Sequence, residues 1–122
     1  MKYKRDLMVY LEDILESADL IENYLAGLSE GSFYNSAEKQ DAVLRRIQII
    51  GEAAKHIPEE YRKKWNEVPW KDIAGMRDNI VHEYFGITLG MIWKTAIEDI
   101  PGLGYQVRQI IQQYSGDSIE NA

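Results

Sequence analysis

The chain lacks the residues on which several common protein chemistries depend. It has no cysteine, so it can form neither a disulfide nor a thiolate nucleophile. Its two histidines, His56 and His82, are 26 residues apart and have no neighbouring ligands at metal-site spacing. No glycine-rich phosphate loop and no nucleophile turn are found. A magnesium site built from carboxylates stays open, but no acidic pair stands out, so we predict acid–base chemistry without a metal.

Positive charge is also scarce. Acidic residues number 20 and basic residues 14, which gives a net charge of −6. General nucleic-acid coat proteins are usually basic, so this class is disfavoured. An enzyme that contacts RNA at one small site stays compatible with the charge, provided that it has a local basic patch. The absence of cysteine fits a cytoplasmic protein. The basic N-terminus is soon interrupted by acids, which predicts neither a signal peptide nor a membrane span.

Long hydrophobic runs are absent, and apolar residues recur instead at the spacing of amphipathic helices. The pattern predicts helices over residues 4–28, 36–56 and 70–84, a short helix after Pro58, and a last helical region over residues 89–113. Pro101 and Gly102 are expected to kink or restart that last region. No stretch alternates like a strand. We therefore predict an all-α, up-and-down helical bundle over residues 1–114, followed by a polar flexible tail over residues 115–122.

The connection between the first two long helices carries turn and capping signals. Residues 29–32 are predicted to form a turn, and Phe33 and Tyr34 are predicted to hold it against the core. Asn35 is predicted to cap the second helix, with Glu38 three residues later as its capping-box partner.

The helix predicted over residues 70–84 carries the strongest candidate site. Arg77, His82 and Tyr84 lie close together on it. At about 100° per residue, Arg77 and Tyr84 fall on the apolar side with Ile73, whereas Arg77 and His82 are about 140° apart. Either the helix end bends, the arginine side chain curls round, or two copies of the helix face each other. The third arrangement predicts a symmetric dimer with a shared site.

These residue types suit RNA cleavage by attack of a ribose 2′-hydroxyl on its own phosphate. His82 could move the proton, and Arg77 could grip the charged phosphate. The spacing alone is weak, because His82 could instead be a surface histidine paired with Asp78 four residues earlier. Glu52 falls opposite the apolar stripe of its helix, which by itself indicates a solvated face.

The motif Arg77-(four residues)-His82-Glu83-Tyr84 resembles the signature of HEPN-domain ribonuclease toxins of the HepT type. The resemblance extends over about residues 4–113 and includes several further segments: Ala42-Val43-Leu44-Arg45-Arg46, Ile49-Ile50-Gly51-Glu52-Ala53-Ala54-Lys55, Val68-Pro69-Trp70, Gly75-Met76-Arg77-Asp78 and Ile100-Pro101-Gly102-Leu103. Each piece is unspecific, but the combination is specific.

The resemblance implies a HEPN-like bundle that forms a homodimer and cleaves RNA without a metal. It implies that Arg77 and His82 are catalytic, and that Asp78, Asn79 and Glu52 support them. It further implies a type VII toxin–antitoxin system, in which a cognate MntA-like minimal nucleotidyltransferase antitoxin attaches AMP to Tyr84.

Two other functions remain open at this point. The chain could be a non-catalytic HEPN regulatory or substrate-binding subunit of a nucleotidyltransferase, which would not need His82. It could also be a structural helical dimer in which Arg77 only makes salt bridges, although that leaves the full motif unexplained.

Overall fold

A computed structural model describes residues 2–82 and 89–120, with the side chains of residues 6–76 and 89–115. Within these ranges the chain forms helices and their connections, without a strand, which confirms the predicted all-α bundle. The elements are α1 (Lys2–Leu25), α2 (Glu30–Tyr34), α3 (Ala37–Lys55), α4 (Glu59–Lys64), α5 (Trp70–His82), α6 (Leu89–Lys94), a π-helical turn (Thr95–Asp99) and α7 (Ile100–Glu120). None of the described helices is long and apolar enough to cross a membrane.

Helix α1 buries the apolar stripe that its sequence predicts. The stripe residues are almost inaccessible to solvent: Leu7, Leu11, Ile14, Ala18, Ile21 and Leu25. The helix ends at Leu25, before the predicted residue 28, because Gly27 adopts a left-handed φ of 76°. Glycine tolerates this conformation without a steric penalty. The N–H of Leu28 then donates to the Leu25 carbonyl at 2.9 Å and closes the turn.

The predicted turn at residues 29–32 contains the start of a short helix, α2. The Ser29 hydroxyl caps it by accepting a hydrogen bond from the Ser32 N–H at 3.1 Å. Phe33 is fully buried as predicted, but Tyr34 is 40% exposed, so its predicted role in the core is wrong. Neighbouring helical residues point about 100° apart, and on this short surface helix Phe33 takes the side that faces the core while Tyr34 takes the side that faces solvent. The Tyr34 hydroxyl donates to Glu30 Oε1 at 2.9 Å, and this hydrogen bond raises the pKa of Tyr34.

Helix α3 is capped by Ser36, whose hydroxyl accepts from the Lys39 N–H at 3.2 Å. The prediction that Asn35 caps α3 is therefore wrong. Asn35 ends α2 instead, and its side-chain amide donates to the Gly31 carbonyl at 3.1 Å. Because α2 extends to Tyr34, the capping position of α3 falls one residue later than its sequence pattern suggests.

Helix α3 is central in the bundle, since it packs against both α1 and α5. Helix α1 in turn packs against α7, and α6 reaches α2 and α3. The α1–α7 contact is close, because a Cβ added at Gly104 would lie 3.4 Å from the Ala18 Cβ. Helix α3 thus lies between α1 and α5, and α1 in turn lies between α3 and α7.

The last helical region runs without a gap from α6 to α7, and its middle part, Thr95–Asp99, is a π-helical turn. The N–H of Ile100 donates to the Thr95 carbonyl, five residues back. Pro101 follows directly. Proline lacks an N–H, and its ring would clash with the carbonyl four residues earlier in a regular α-helix. The wider turn therefore accommodates Pro101 without ending the helix, where the sequence predicted a kink or a restart.

Candidate active site

The start of α5 is held firmly in the core. Trp70 is buried, and its indole N–H donates to the Trp65 carbonyl at 3.0 Å. Val68 is also buried, and its carbonyl accepts from the Trp70 N–H at 2.9 Å. The Ile73 N–H donates to the Pro69 carbonyl at 3.0 Å, which starts the helical hydrogen-bond ladder. These contacts fix where α5 begins and hence the position of every residue along it.

One face of α5 packs against α3. Ile73 is buried there, and Ala74, Gly75 and Met76 are half-buried. The helix continues without a break to His82. The backbone positions of Arg77 and His82 are therefore about 7.5 Å apart along the helix axis and about 140° apart around it. Arg77 and His82 therefore lie on different faces of one helix, as their spacing in the sequence predicts.

The predicted site residues fall largely outside the described part of the chain. Arg77, Asp78, Asn79 and His82 have described backbone positions in the second half of α5, but their side chains lie outside the described ranges. Tyr84, the predicted modification site, lies outside them altogether. The roles of these residues stay predictions.

Glu52 is the predicted site residue whose side chain is described. It is exposed on α3, and its Oε1 lies 3.7 Å from His56 Nε2, one helical turn later. Both side chains are about half exposed, at 53% for Glu52 and 51% for His56. Glu52 therefore has a histidine partner on its own helix.

Glu52 also lines a cleft of about 390 Å³ between α1 and α3. The lining is mostly polar and includes an aromatic pair: Tyr10, Asp13, Arg45, Gln48, Ile49, Glu52, Ala53 and His56. We call this the α1–α3 cleft. The sequence analysis missed it, because its residues come from the polar faces of two helices whose pairing the sequence does not specify.

A larger groove of about 750 Å³ runs beside the first half of α5, opposite the π-helical turn and the start of α7. We call it the α5–α7 groove. Ile73, Ile100 and Leu103 are buried in the core beneath it. Its lining also includes three exposed carboxylates: Asp72, Glu98 and Asp99. None of the three is in an ion pair with another described residue. This charge is unfavourable for the RNA backbone.

The connection into α5 is secured by Arg62, the first of three consecutive basic residues, Arg62, Lys63 and Lys64. Its Nε donates to the Ile57 carbonyl at 2.9 Å, and its Nη2 donates to the Ala54 carbonyl at 2.8 Å. Carbonyls at a helix C-terminus have no partner within the helix, and a cation there also complements the helix dipole. Arg62 thus joins α4 to the end of α3, whereas Lys63 and Lys64 are exposed.

No group of three histidine or carboxylate side chains suited to a metal ion is found among the described residues.

Comparison with known proteins identifies the family of the chain. The model of the family described as "Ribonuclease HepT-like" matches residues 14–110. A Thermococcus cleftensis protein, named as a probable ribonuclease HepT, is 43% identical over 100 residues, which cover 82% of this chain and 91% of that protein. No solved structure matches the chain.

Two further relatives carry RNase in their names. A candidate RNase of Caldanaerobacter subterraneus subsp. tengcongensis is 43% identical over 104 residues, with 85% of this chain and 93% of that protein covered. A Methanocaldococcus jannaschii protein, named as a gamma-glutamylcyclotransferase and candidate RNase, is 46% identical over 110 residues. Those residues cover 90% of this chain but only 50% of that longer protein. The predicted class of enzyme, a ribonuclease, is confirmed at the level of the family, and the chain belongs to the HepT-like ribonucleases.

Proposed function

We propose that the chain is a metal-independent endoribonuclease and the toxin of a type VII toxin–antitoxin pair. The observation that carries the proposal is the complete Arg77–His82–Tyr84 motif, in a chain whose family is HepT-like and whose helix α5 is continuous from Trp70 to His82. An RNA substrate follows from this family.

In the proposed reaction the ribose 2′-oxygen attacks the adjacent phosphorus, and the bond from phosphorus to the 5′-oxygen breaks. His82 takes the 2′-hydroxyl proton or delivers a proton to the leaving 5′-oxygen. Arg77 donates two parallel hydrogen bonds to the phosphate as its negative charge grows. Asp78, Asn79 and Glu52 are proposed to support these two residues.

The test is cleavage of a labelled RNA in the presence of EDTA by purified wild-type protein and by the His82→Ala and Arg77→Ala variants. We expect each variant to lose at least a hundredfold in rate, the usual loss for general acid–base or charge-stabilising groups. Arg108→Ala is the matched control, because Arg108 pairs with Asp19 on the surface at 3.1 Å. Intact RNA after incubation with wild-type protein whose Tyr84 is verified as unmodified would refute the proposal.

The angular separation of Arg77 and His82 on α5 supports a homodimer in which two copies complete each site. Complementation tests this arrangement. Arg77→Ala and His82→Ala are each expected to be inactive alone. If each site takes Arg77 from one chain and His82 from the other, a mixed dimer of the two variants regains one intact site. Light scattering gives the oligomeric state, and cleavage by the mixed dimer gives the composition of the site. A monomer that retains full activity argues against it.

We further propose that a cognate MntA-like nucleotidyltransferase antitoxin silences the enzyme by transferring AMP to Tyr84. The Tyr84 oxygen attacks the α-phosphorus of ATP, pyrophosphate leaves, and the phenolic proton passes to a base. The added phosphate near Arg77 would occupy the place of the substrate and repel RNA. Mass spectrometry of the protein made with and without this partner should find the AMP mass on the peptide that contains Tyr84. Growth arrest by the chain alone, relieved by the partner, separates this proposal from a non-catalytic regulatory subunit.

A further inference from the structure

The α1–α3 cleft contains an aromatic pair, and both of its members are partly exposed to solvent. The rings of Tyr10 and His56 are stacked, with centroids 4.8 Å apart and planes inclined by 11°. Tyr10 is half-buried, whereas the His56 side chain is 51% exposed. His56 follows the last residue of α3, so an incoming planar group can stack on the pair from the solvent side. Aromatic rings are the surfaces on which proteins stack unpaired RNA bases.

The rest of the cleft supplies hydrogen-bonding groups. Ala53 is buried in it and Ile49 is half-buried, so part of the lining is apolar. Arg45, Gln48 and Asp13 also line the cleft, and within the described part of the chain their side chains are in no hydrogen bond or ion pair. The cleft therefore contains both donors and acceptors that are available to a ligand.

The balance of charge indicates what kind of ligand fits. Asp13 and Glu52 bring two carboxylates, and Arg45 brings one guanidinium. Two carboxylates disfavour a phosphate inside the cleft. They favour a group with N–H donors on one edge, because an ionised carboxylate only accepts hydrogen bonds. A guanidinium favours two adjacent acceptors, such as O6 and N7 of guanine.

We propose that the α1–α3 cleft binds a single guanine base. The base stacks on the His56–Tyr10 pair, its N1–H and N2 amino group donate to the carboxylates, and Arg45 donates to its O6 and N7 edge. Adenine and the pyrimidines lack this combination of donors and acceptors. The guanine can come from an unpaired position in RNA or from a free nucleotide. In RNA the cleft would select which sequence is presented to α5, and that use rests on the proposed ribonuclease function.

The two histidines make the first test direct. Free guanosine contains no phosphodiester bond, so wild-type protein can be titrated with it while the imidazole signals of His56 and His82 are followed by NMR. We expect guanosine to shift the His56 signal in a saturable manner and to leave the His82 signal in place. Adenosine and cytidine should bind at least about tenfold more weakly, as expected when a site built for hydrogen bonds loses them. Equal shifts with all nucleosides, or none with guanosine, overturn the proposal.

Substitutions test which groups bind the base. Glu52→Gln keeps the size of the side chain but removes its charge, and Arg45→Ala removes the guanidinium. Each should weaken guanosine binding about tenfold, the effect of losing one hydrogen bond to a charged group. Glu22→Gln is the matched control, because Glu22 is exposed on α1 and does not line the cleft. Binding that is unchanged in both cleft variants overturns the assignment.

Short RNAs distinguish the two sources of guanine. In the His82→Ala background, single-stranded oligonucleotides with and without one guanosine are compared by fluorescence anisotropy. A preference for the guanosine-containing RNA that disappears with Asp13→Asn, which removes a cleft carboxylate that has no proposed role at Arg77 or His82, assigns the cleft to RNA. GMP binding without that preference assigns it to a free nucleotide. Wild-type protein that binds guanosine but leaves RNA intact refutes only the proposed ribonuclease function. Wild-type protein that cleaves RNA but does not bind guanosine refutes only the proposed guanine site in the cleft.

Discussion

The α5–α7 groove and the α1–α3 cleft differ in origin and in charge. The α5–α7 groove is the larger, at about 750 Å³, and buried core residues lie beneath it. The α1–α3 cleft is smaller, at about 390 Å³, and is built mostly from polar side chains on the outer faces of two helices. Among the described side chains that line each surface, the charged groups of the groove are carboxylates, whereas the cleft has an arginine, a histidine and two carboxylates. If the RNA-binding surface were chosen by size alone, the choice would be the α5–α7 groove, whose carboxylates repel a polyanion.

The residues that stabilise the fold and the residues proposed to bind a ligand also lie at different surfaces. Residues under the groove hold α5 and α7 in the fold, so they can change little without affecting the whole bundle. In the cleft, the side chains of Arg45, Gln48 and Asp13 have no described partner and are available for binding. The net charge of −6, which argues against a nucleic-acid coat protein, is compatible with an RNA enzyme if the acidic side chains lie on surfaces that RNA does not contact.

The largest expected effect tests the structural side of the comparison. Ile73→Ala, beneath the groove, should lower the free energy of unfolding by about 2–5 kcal/mol, because it leaves a cavity at a buried position of α5. Gln48→Ala, in the cleft, should change it by no more than about 0.5 kcal/mol, since its side chain has no described partner. Urea unfolding followed by tryptophan fluorescence measures both. Similar losses of unfolding free energy in the two variants would contradict the view that groove residues stabilise the fold and cleft residues do not.

The next effect concerns the connection that leads into α5. Arg62→Ala should cost about 1.5–3 kcal/mol, because two carbonyls near the end of α3 lose a charged donor. Lys63→Ala, at the neighbouring exposed position, is the control and should cost no more than about 0.5 kcal/mol. The same unfolding measurement applies. Equal stability of the two variants would mean that Arg62 contributes no more to the fold than the exposed Lys63.

A pair of charge reversals tests the recognition side. Arg45→Glu in the cleft and Glu98→Lys at the groove each change the net charge by two, in opposite directions. In the His82→Ala background, Arg45→Glu should lower affinity for guanosine-containing RNA by about tenfold with little change in its salt dependence, because Arg45 is proposed to contact a base and not a phosphate. Glu98→Lys should raise affinity by about twofold at most. Fluorescence anisotropy at several salt concentrations measures this. Changes of equal size would mean that affinity follows net charge rather than the surface contacted.

The smallest effect concerns α1 and α7, the helices that connect the two surfaces. A Cβ at Gly104 would lie 3.4 Å from the Ala18 Cβ, which is an ordinary contact. Gly104→Ala should therefore stabilise the protein by up to about 1 kcal/mol through its greater helix propensity. Gly104→Leu should instead force the helices apart and destabilise it. Thermal unfolding of both variants gives the sign, and a destabilising alanine would show that the helices have no room to adjust.

The sequence predicts the helices well because burial follows their period directly. The stripe of α1 and the start of α5 at Trp70 are both found as expected. Errors arise where neighbouring segments compete for the same residue. Asn35 is a good capping residue for α3, but it ends α2 instead, and Tyr34 is exposed although its neighbour Phe33 is buried.

The candidate site could be predicted only in part. A motif within one helix, such as Arg77 with His82, is visible in the sequence because its members keep a fixed spacing. The cleft is not visible, because Tyr10 and His56 are 46 residues apart and meet only when α1 packs against α3. Likewise, nothing local distinguishes Arg62 from the lysines that follow it. Its role depends on where α4 places it relative to the end of α3.

The π-helical turn before Pro101 has a consequence for the phase of the last helical region. Five-residue hydrogen bonding inserts about one extra residue into a turn, which rotates everything beyond it by about 100° relative to a regular α-helix. Helix α6 can thus pack against α2 and α3 while α7 packs against α1, with Ile92, Leu103 and Val107 all buried. A one-residue deletion between Thr95 and Asp99 would remove the extra residue and keep the apolar stripe of α7 facing α1. It would also place Pro101 in a regular α-helix, where its ring clashes with the carbonyl four residues earlier.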